Sequence, residues 1–118
     1  MDFTYAINHN ILVITFNIDR LDANKSLQAK LDILEIINRE RNYQVIFNLH
    51  RVTFMDSSGV GILLSILRFL NTQEGDLKLA EIPPTLQTIF ELILMHKIFE
   101  TYKTDDEAIH SFMTSQKR

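Results

Sequence analysis

Residues 52–62 read Val52-Thr53-Phe54-Met55-Asp56-Ser57-Ser58-Gly59-Val60-Gly61-Ile62, an apolar stretch that stops at an acid and two hydroxyls and then takes up helical spacing. Asp56 is suited to cap this helix, because its carboxylate can accept hydrogen bonds from the free N–H groups of the first turn. Ser57 and Ser58 would then lie at the mouth of the helix with their hydroxyls near solvent. The segment predicts a strand-like stretch, a turn and a helix in succession.

The chain upstream of this segment alternates between strand and helix patterns. Alternating apolar residues from Phe3, a turn at residues 8–10 and the apolar run Ile11–Phe16 predict a β-hairpin. Helical spacing predicts a helix from about residue 24 to residue 40. The apolar residues that set this spacing are Leu27, Leu31, Leu34 and Ile37. Val45–Leu49 is rich in β-branched and aromatic residues, which indicates a strand covered on both faces.

The chain downstream repeats the alternation. The helix that begins at Ser57 is predicted to run to about Thr72, and the alternation at Leu77–Leu79 predicts the next strand. Pro83-Pro84 opens a further helix, since a proline in the first helical turn gives up no hydrogen bond. Ile98–Tyr102 is predicted as a last short strand, and Thr104–Glu107 is a capping box that starts a C-terminal helix.

This order of elements predicts the fold class. Repeated strand–helix–strand units imply right-handed crossovers and a partly parallel sheet. We therefore expect an α/β fold with a mixed, mostly parallel central sheet of four or five strands and about four helices. The 118 residues suit one domain, 1–118, and no repeat or linker divides them.

Composition excludes several classes of function. The absence of cysteine rules out disulfides, zinc–thiolate sites and cysteine nucleophiles. A net charge of −3 without a basic cluster argues against nucleic acid as a partner. No signal peptide or membrane span is recognisable, so a cytoplasmic protein is expected. The four histidines, His9, His50, His96 and His110, are scattered, so neither a metal site nor a cofactor is expected.

Three kinds of catalytic or nucleotide-binding motif fail on these residues. A nucleophile elbow needs a glycine two residues before the serine, where Met55 or Asp56 stands. A phosphate-binding loop needs lysine and serine or threonine after its glycines, but Ile62 follows Gly61. A phosphoryl-accepting Asp56 would want a second acid two residues on, where Ser58 stands. We therefore expect a binding protein and not an enzyme.

An exposed hydroxyl at a helix N-terminus is well placed to receive a phosphate. The added charge of about −1.5 to −2 is favourable at the positive end of a helix dipole. It would be unfavourable for any partner that packs against Gly59 and Gly61. Each glycine has two interpretations: close packing or a required backbone conformation, or a bare backbone that admits another molecule.

The helix after the serines is apolar nearly all round. One set of its residues can face the sheet, namely Val60, Leu63, Leu64, Leu67 and Leu70. Ile62, Ile66 and Phe69 form a second stripe. Either this stripe packs under the neighbouring helix around Leu86–Leu94, or it is a partner-binding ridge that begins at Ser57.

Residues Phe54–Gly61 resemble the phosphorylation-site motif of the STAS domain. The whole chain resembles a stand-alone bacterial anti-sigma-factor antagonist, including Arg20–Ala23 before the first helix and the strand before the motif. The resemblance implies that Ser57 is the phosphorylated serine, with Asp56, Ser58, Gly59 and Gly61 as supporting residues. It also implies a share for the loop at Asp22 in the partner interface.

The resemblance further implies the partners. The anti-sigma factor, a serine kinase with a histidine-kinase-like ATPase fold, phosphorylates the antagonist, and a PP2C-type phosphatase reverses the modification. The unphosphorylated antagonist binds the anti-sigma factor and frees the sigma factor. The alternative is a scaffold role, in a stressosome-like or lipid-transport complex, without a phosphate cycle.

Overall fold

The computed structural model describes residues 1–115. Within these residues there are seven strands: β1 (Phe3–Asn8), β2 (Ile11–Phe16), β3 (Arg20–Leu21), β4 (Gln44–Asn48), β5 (Phe54–Met55), β6 (Asp76–Ala80) and β7 (Thr101–Tyr102). The same part of the chain contains four helices: α1 (Ser26–Glu40), α2 (Ser57–Thr72), α3 (Pro84–Leu92) and α4 (Asp105–Ser115). A 3₁₀ turn at Met95–Lys97 precedes β7.

Five of the strands form the central sheet, in the order β1-β2-β4-β6-β7. β1 pairs with β2 antiparallel, and the other neighbours are parallel, which confirms the predicted mixed sheet and α/β class. His9 and Asn10 join β1 to β2 with positive φ angles of 52° and 65°, the conformation of a type I′ hairpin turn. β7 is shorter than predicted, because the N–H groups of Ile98 and Phe99 still donate to the carbonyl of Met95 in the 3₁₀ turn and are not free to pair with β6.

A second, two-stranded sheet was not predicted. In it β3 pairs with β5 in parallel, so that Leu21 lies beside Met55. Strands of two residues leave no periodicity in the sequence. This small sheet joins the segment before α1 to the segment before α2.

The central sheet is covered on both faces. α1, α2 and α3 contribute to the larger core, where Ile33, Leu63 and Phe90 are buried with Phe47. α4 covers the other face, where Phe112 is buried in a smaller core. Residues of that smaller core are Ile11, Val13, Ile46, Ala80, Ala108, Ile109 and Phe112. Alternation of side chains along β4 supplies both cores, as predicted for a strand covered on both faces.

A buried lysine helps to hold α4 on the sheet. Lys78 of β6 is 4% exposed, and its Nζ pairs with the Glu100 carboxylate at 3.0 Å and donates to the Ser111 hydroxyl at 2.5 Å. The ring of Phe112 lies 4.4 Å from the same ammonium. Burial of a charge is tolerated when it is paired in this way.

The buried faces of α1 and α2 differ from those that the spacing of their apolar residues predicts. On α1 the buried residues are Ala29, Ile33, Ile36 and Ile37. Leu27 and Leu31, which helped to predict the helix, are 71% and 53% exposed. On α2 the buried residues are Gly59, Ile62, Leu63, Ile66 and Leu70, so the helix is rotated from the predicted sheet-facing set. Val60, Leu64 and Leu67 are only partly buried.

Candidate functional site

Asp56 shapes the site from the end of β5. Its backbone is extended, and its Oδ1 accepts hydrogen bonds from the N–H groups of Ser58 at 2.9 Å and Gly59 at 3.1 Å. Its Oδ2 accepts from the N–H of Ala23 at 3.1 Å. The hydrogen bond from Gly59 is the main cause that lowers the pKa of Asp56 below its ordinary value of 3.8. The predicted helix cap is thus present, and the carboxylate also binds the loop before α1.

Ser57 is the first residue of α2 and is exposed. Its hydroxyl makes no hydrogen bond within residues 1–115, since Asp56 uses its carboxylate for backbone groups. Ser58, the second hydroxyl, is half-buried. Of the two serines, Ser57 therefore presents the more accessible oxygen.

The two glycines of the motif have different surroundings. A Cβ at Gly59 would collide with the carbonyl oxygen of Leu21 in β3, so this glycine allows α2 to approach the small sheet closely. A Cβ at Gly61 would meet nothing within 4 Å. Gly59 is therefore explained by close packing of α2 against β3. Gly61 has no such contact and leaves open space one helical turn after Ser57.

The loop at Asp22 lies beside the motif. The N–H of Ala23, just after β3, donates to the Asp56 carboxylate. The Asp22 carboxylate accepts from the N–H of Asn24 at 3.1 Å. Arg20 pairs with Asp22 at 3.6 Å and stacks over the Phe54 ring at 4.2 Å. The hydrogen bond from Ala23 to Asp56 thus links the residue after Asp22 with the residue before Ser57, although the two segments are far apart in the sequence.

A groove between α2 and α3 begins at Ser57 and has a volume of about 380 Å³. Its lining is mostly apolar and consists of Met55, Asp56, Ser57, Val60, Gly61, Leu64, Ile89 and Ile93. This groove was not predicted. Its signal in the sequence is the pair Val60 and Leu64, four residues apart on α2, which helical spacing places in the predicted sheet-facing set.

The interpretation of Ile62, Ile66 and Phe69 as an exposed ridge is wrong. Ile62 is 6% exposed and Ile66 is 0% exposed, because this stripe turns towards the core beside α1. Phe69 is half-buried, with its ring centre 6.3 Å from that of Tyr43. The stripe packs inward, but beside α1 and not under α3 as the alternative had it.

Within residues 1–115, no group of three His, Asp or Glu side chains lies close enough together to hold a metal ion. No helix in the same part of the chain combines the length and apolar character needed to cross a membrane.

The sequence model of the STAS domain matches residues 2–108. The chain belongs to the STAS domain family. The match includes the segment around Ser57 and all of the central sheet. The exposed serine, its aspartate cap and the groove beside them therefore lie within a STAS domain.

Individual relatives agree with this assignment. The anti-sigma F factor antagonist of Paenibacillus polymyxa is 24% identical over 92% of this chain and 94% of its own length. The unphosphorylated form of the anti-sigma factor antagonist SpoIIAA has a TM-score of 0.77, is 27% identical, and is matched over 95% of this chain and 96% of that chain. The phosphorylated form of SpoIIAA, from Bacillus, has a TM-score of 0.68 at 28% identity, over 93% of this chain and 98% of that chain.

Proposed function

We propose that this STAS protein is an anti-sigma-factor antagonist that binds an anti-sigma factor while Ser57 is unmodified and loses that partner when Ser57 is phosphorylated. The observation that carries the proposal is the exposed Ser57 hydroxyl at the N-terminus of α2, on the rim of an apolar groove. The names of the relatives add support, since one is an anti-sigma F factor antagonist and another was solved in phosphorylated and unphosphorylated forms.

A phosphate on Ser57 is compatible with the fold. At the N-terminus of a 16-residue helix the positive end of the dipole favours an anion by roughly 0.3–1 kcal/mol. The Asp56 carboxylate opposes this gain by repulsion, but its own hydrogen bonds to Gly59 and Ala23 hold the turn in place. Modification therefore changes the surface and leaves the domain folded.

The same phosphate would act strongly on a bound partner. A partner that fills the groove must bring apolar atoms against Val60, Leu64, Ile89 and Ile93, within reach of Ser57. A doubly charged group on the rim would then have to be desolvated without a compensating partner, which is unfavourable. Ser57 thus acts as a switch for binding.

The partners in this proposal are those that the family resemblance implies. The anti-sigma factor is a serine kinase with a histidine-kinase-like ATPase fold, which transfers the γ-phosphoryl group of ATP to the Ser57 oxygen and leaves ADP and a proton. A PP2C-type phosphatase hydrolyses the phosphoserine and restores binding. This cycle needs no catalytic residue, metal or nucleic acid on the antagonist, and it takes place in the cytoplasm.

The site of modification is tested by incubation with ATP and such a kinase from the same organism, followed by mass spectrometry. We expect one phosphate on Ser57, its loss in Ser57→Ala, and its retention in the matched control Ser58→Ala. A phosphate on Ser58, or none at all, would overturn the assignment.

The switch is tested by measuring the affinity of unphosphorylated variants of this chain for the kinase partner by calorimetry. Ser57→Asn and Ser57→Asp have nearly the same shape and differ in charge. We expect Ser57→Asn to bind like the wild type and Ser57→Asp to bind at least about tenfold more weakly. Equal binding by both variants would contradict the switch and favour the scaffold alternative.

A further inference from the structure

The outer edge of β1 has unused hydrogen-bonding groups. The backbone carbonyl of Asp2 accepts from the N–H of Asn17 at 2.8 Å. In an antiparallel pair the hydrogen-bonded positions alternate, so the next residues of β1 that bond to β2 are Thr4, Ala6 and Asn8. The backbone groups of Phe3, Tyr5 and Ile7 therefore point away from β2. No backbone group within residues 1–115 bonds to them.

This edge also lacks the features that usually prevent strand pairing. Edge strands are commonly short, bulged, or interrupted by proline or charged side chains. β1 has six residues in an unbroken register, and Phe3–Asn8 contains no charge and no proline. The opposite edge, β7, has only two residues. β1 is thus the edge of this sheet that can accept another strand.

We propose that β1 pairs antiparallel with β1 of a second copy of this chain, about a two-fold axis at Tyr5. The outward positions Phe3, Tyr5 and Ile7 are symmetric about Tyr5, so Phe3 faces Ile7 of the second copy and Tyr5 faces its own counterpart. Each of these pairs exchanges two backbone hydrogen bonds. The two central sheets become one continuous sheet, which is the isologous contact that a closed dimer requires.

The side chains on this edge suit a second copy. Tyr5 and Ile7 are 37% and 44% exposed, on the face of the sheet that carries α1. Beside them is a groove of about 320 Å³ between β1 and α1, lined in part by Phe3 and Ile36. Pairing about Tyr5 brings Ile7 of the second copy opposite Phe3, next to this groove, and removes apolar surface from water.

The charges at the axis are complementary as well. The Tyr5 hydroxyl donates to the Glu40 carboxylate at 2.6 Å, and the Arg39 guanidinium lies 5.9 Å from the centre of the Tyr5 ring. Each copy therefore brings Arg39 and Glu40 near the axis, while Asp32 and Glu35 line the adjacent groove with Arg39. The antiparallel arrangement allows Arg39 of one copy to approach these acids of the other. A second copy is favoured over an unrelated strand because the edge complements itself in hydrogen bonds, shape and charge.

The dimer leaves the Ser57 site open. The groove at β1 and the groove at Ser57 have no lining residue in common. This inference therefore stands independently of the proposed function, and a dimer would present two Ser57 sites to its partners.

Cysteine cross-linking tests the register directly, because the chain has no cysteine of its own. Directly opposed hydrogen-bonded residues have Cα atoms about 5.5 Å apart, within the range of a disulfide. Under mild oxidation we expect Tyr5→Cys to form a covalent dimer and the neighbouring Thr4→Cys to form little, since Thr4 lies opposite Ala6 of the second copy. Equal cross-linking of the two variants would overturn the proposed axis.

Light scattering tests the association without a covalent bond. We expect the mass of the wild type to rise from 13.8 kDa towards twice that value with concentration. Tyr5→Lys should remain monomeric, because two like charges would face each other. Thr4→Lys is the control and should still dimerise, and an equimolar mixture of Tyr5→Lys with Tyr5→Glu should recover the dimer. A wild type that stays monomeric up to about 1 mM would refute the proposal.

Discussion

Among single residues, Asp56 has two structural roles: it caps α2, and it binds the loop before α1. One carboxylate oxygen binds the first turn of α2, and the other binds the N–H of Ala23. An asparagine would keep the first role but would turn its NH₂ group towards the N–H of Ala23 and lose the second. The acid therefore holds the loop at Asp22 next to Ser57, which a cap alone does not require.

The two glycines of the motif predict opposite effects of the same substitution. Gly59→Ala places a methyl group on the backbone carbonyl of Leu21, so we expect unfolding free energy to fall by about 1–3 kcal/mol. Gly61→Ala meets open space and should raise it by about 0.5–1 kcal/mol, since alanine is the better helix former. Urea denaturation of both variants measures the contrast, and equal effects would contradict the packing described for Gly59.

The partly buried carboxyl of Asp105 leads us to expect that its replacement stabilises the protein by an amount that depends on pH. Burial is the main cause that raises the pKa of this carboxyl above 3.8, and Glu81 and Asp106 raise it further. Above its ordinary pKa the unfolded chain releases this proton more readily than the folded one, so the wild type loses stability as pH rises. Asp105→Asn keeps an oxygen for the Asn48 amide, which donates to Asp105 at 3.0 Å.

We therefore expect Asp105→Asn to have a higher Tm than the wild type at pH 7, and the difference to shrink as pH falls below the ordinary carboxyl pKa. Asp106 and Glu107 still supply negative charge to the first turn of α4, so the substitution does not remove the favourable helix dipole interaction. Asp106→Asn, at an exposed position, is the control. A difference in Tm that stays the same from pH 7 to pH 3 would contradict this explanation.

At the scale of elements, α1 ends in a conformation that its sequence does not favour. Arg41 caps the helix with φ 51° and ψ 42°, in the left-handed region, and its N–H donates to the carbonyl of Ile37. Glycine is the usual residue here because it has no Cβ penalty. The helix therefore ends at Glu40 because the chain turns at Arg41 towards β4, and not because a glycine stands at the cap.

We expect Arg41→Gly to stabilise the protein by about 0.5–1 kcal/mol, since glycine adopts this conformation without strain. Arg39→Gly, two residues earlier and inside the helix, should instead destabilise it by about 1 kcal/mol. Thermal unfolding of both variants separates the two effects. A loss of stability in Arg41→Gly as large as that in Arg39→Gly would show that the side chain of Arg41 matters more than its backbone.

At the scale of the whole molecule, the sheet separates two cores of unequal size. The larger core joins three helices and carries the Ser57 site, whereas the smaller core depends on α4 alone. Half of the capping box predicted for α4 is present, since the Thr104 hydroxyl accepts from the N–H of Glu107 at 3.1 Å. The Glu107 carboxylate accepts at 3.3 Å from the N–H of Lys103, the residue before the N-cap, instead of from Thr104. The two faces can therefore differ in stability within one fold.

Phe112→Ala should lower the free energy of unfolding by about 3–5 kcal/mol, because it removes the largest side chain of the smaller core. We expect hydrogen exchange to accelerate most in α4, while amides of α2 change less. Met113→Ala, at a neighbouring position that is 37% exposed, is the control and should have a small effect. Uniform acceleration in both helices would show that the two cores unfold as one unit.

The order of strands and helices in this protein could be predicted from local sequence patterns. The alternation from Phe3 to Ile7, the apolar strand around Phe47 and the cap at Thr104 each depend on neighbouring residues, so they could be recognised without a structure. The paired strands β3 and β5 could not, because two residues carry no period. The Asp56 cap was predictable, but its bond to Ala23 joins residues 33 positions apart.

The α/β order of elements, the cap at Asp56 and the exposed serine after it could be predicted from local sequence patterns, because each depends on residues close together in the chain. The side on which α2 meets its neighbours could not, because it depends on packing between distant segments. An amphipathic period fixes the angles between side chains on a helix, but α2 is apolar nearly all round, so its rotation depends on the contact of Gly59 with Leu21. That contact turned Ile62 and Ile66 into the core and left Val60 and Leu64 to line the groove beside Ser57.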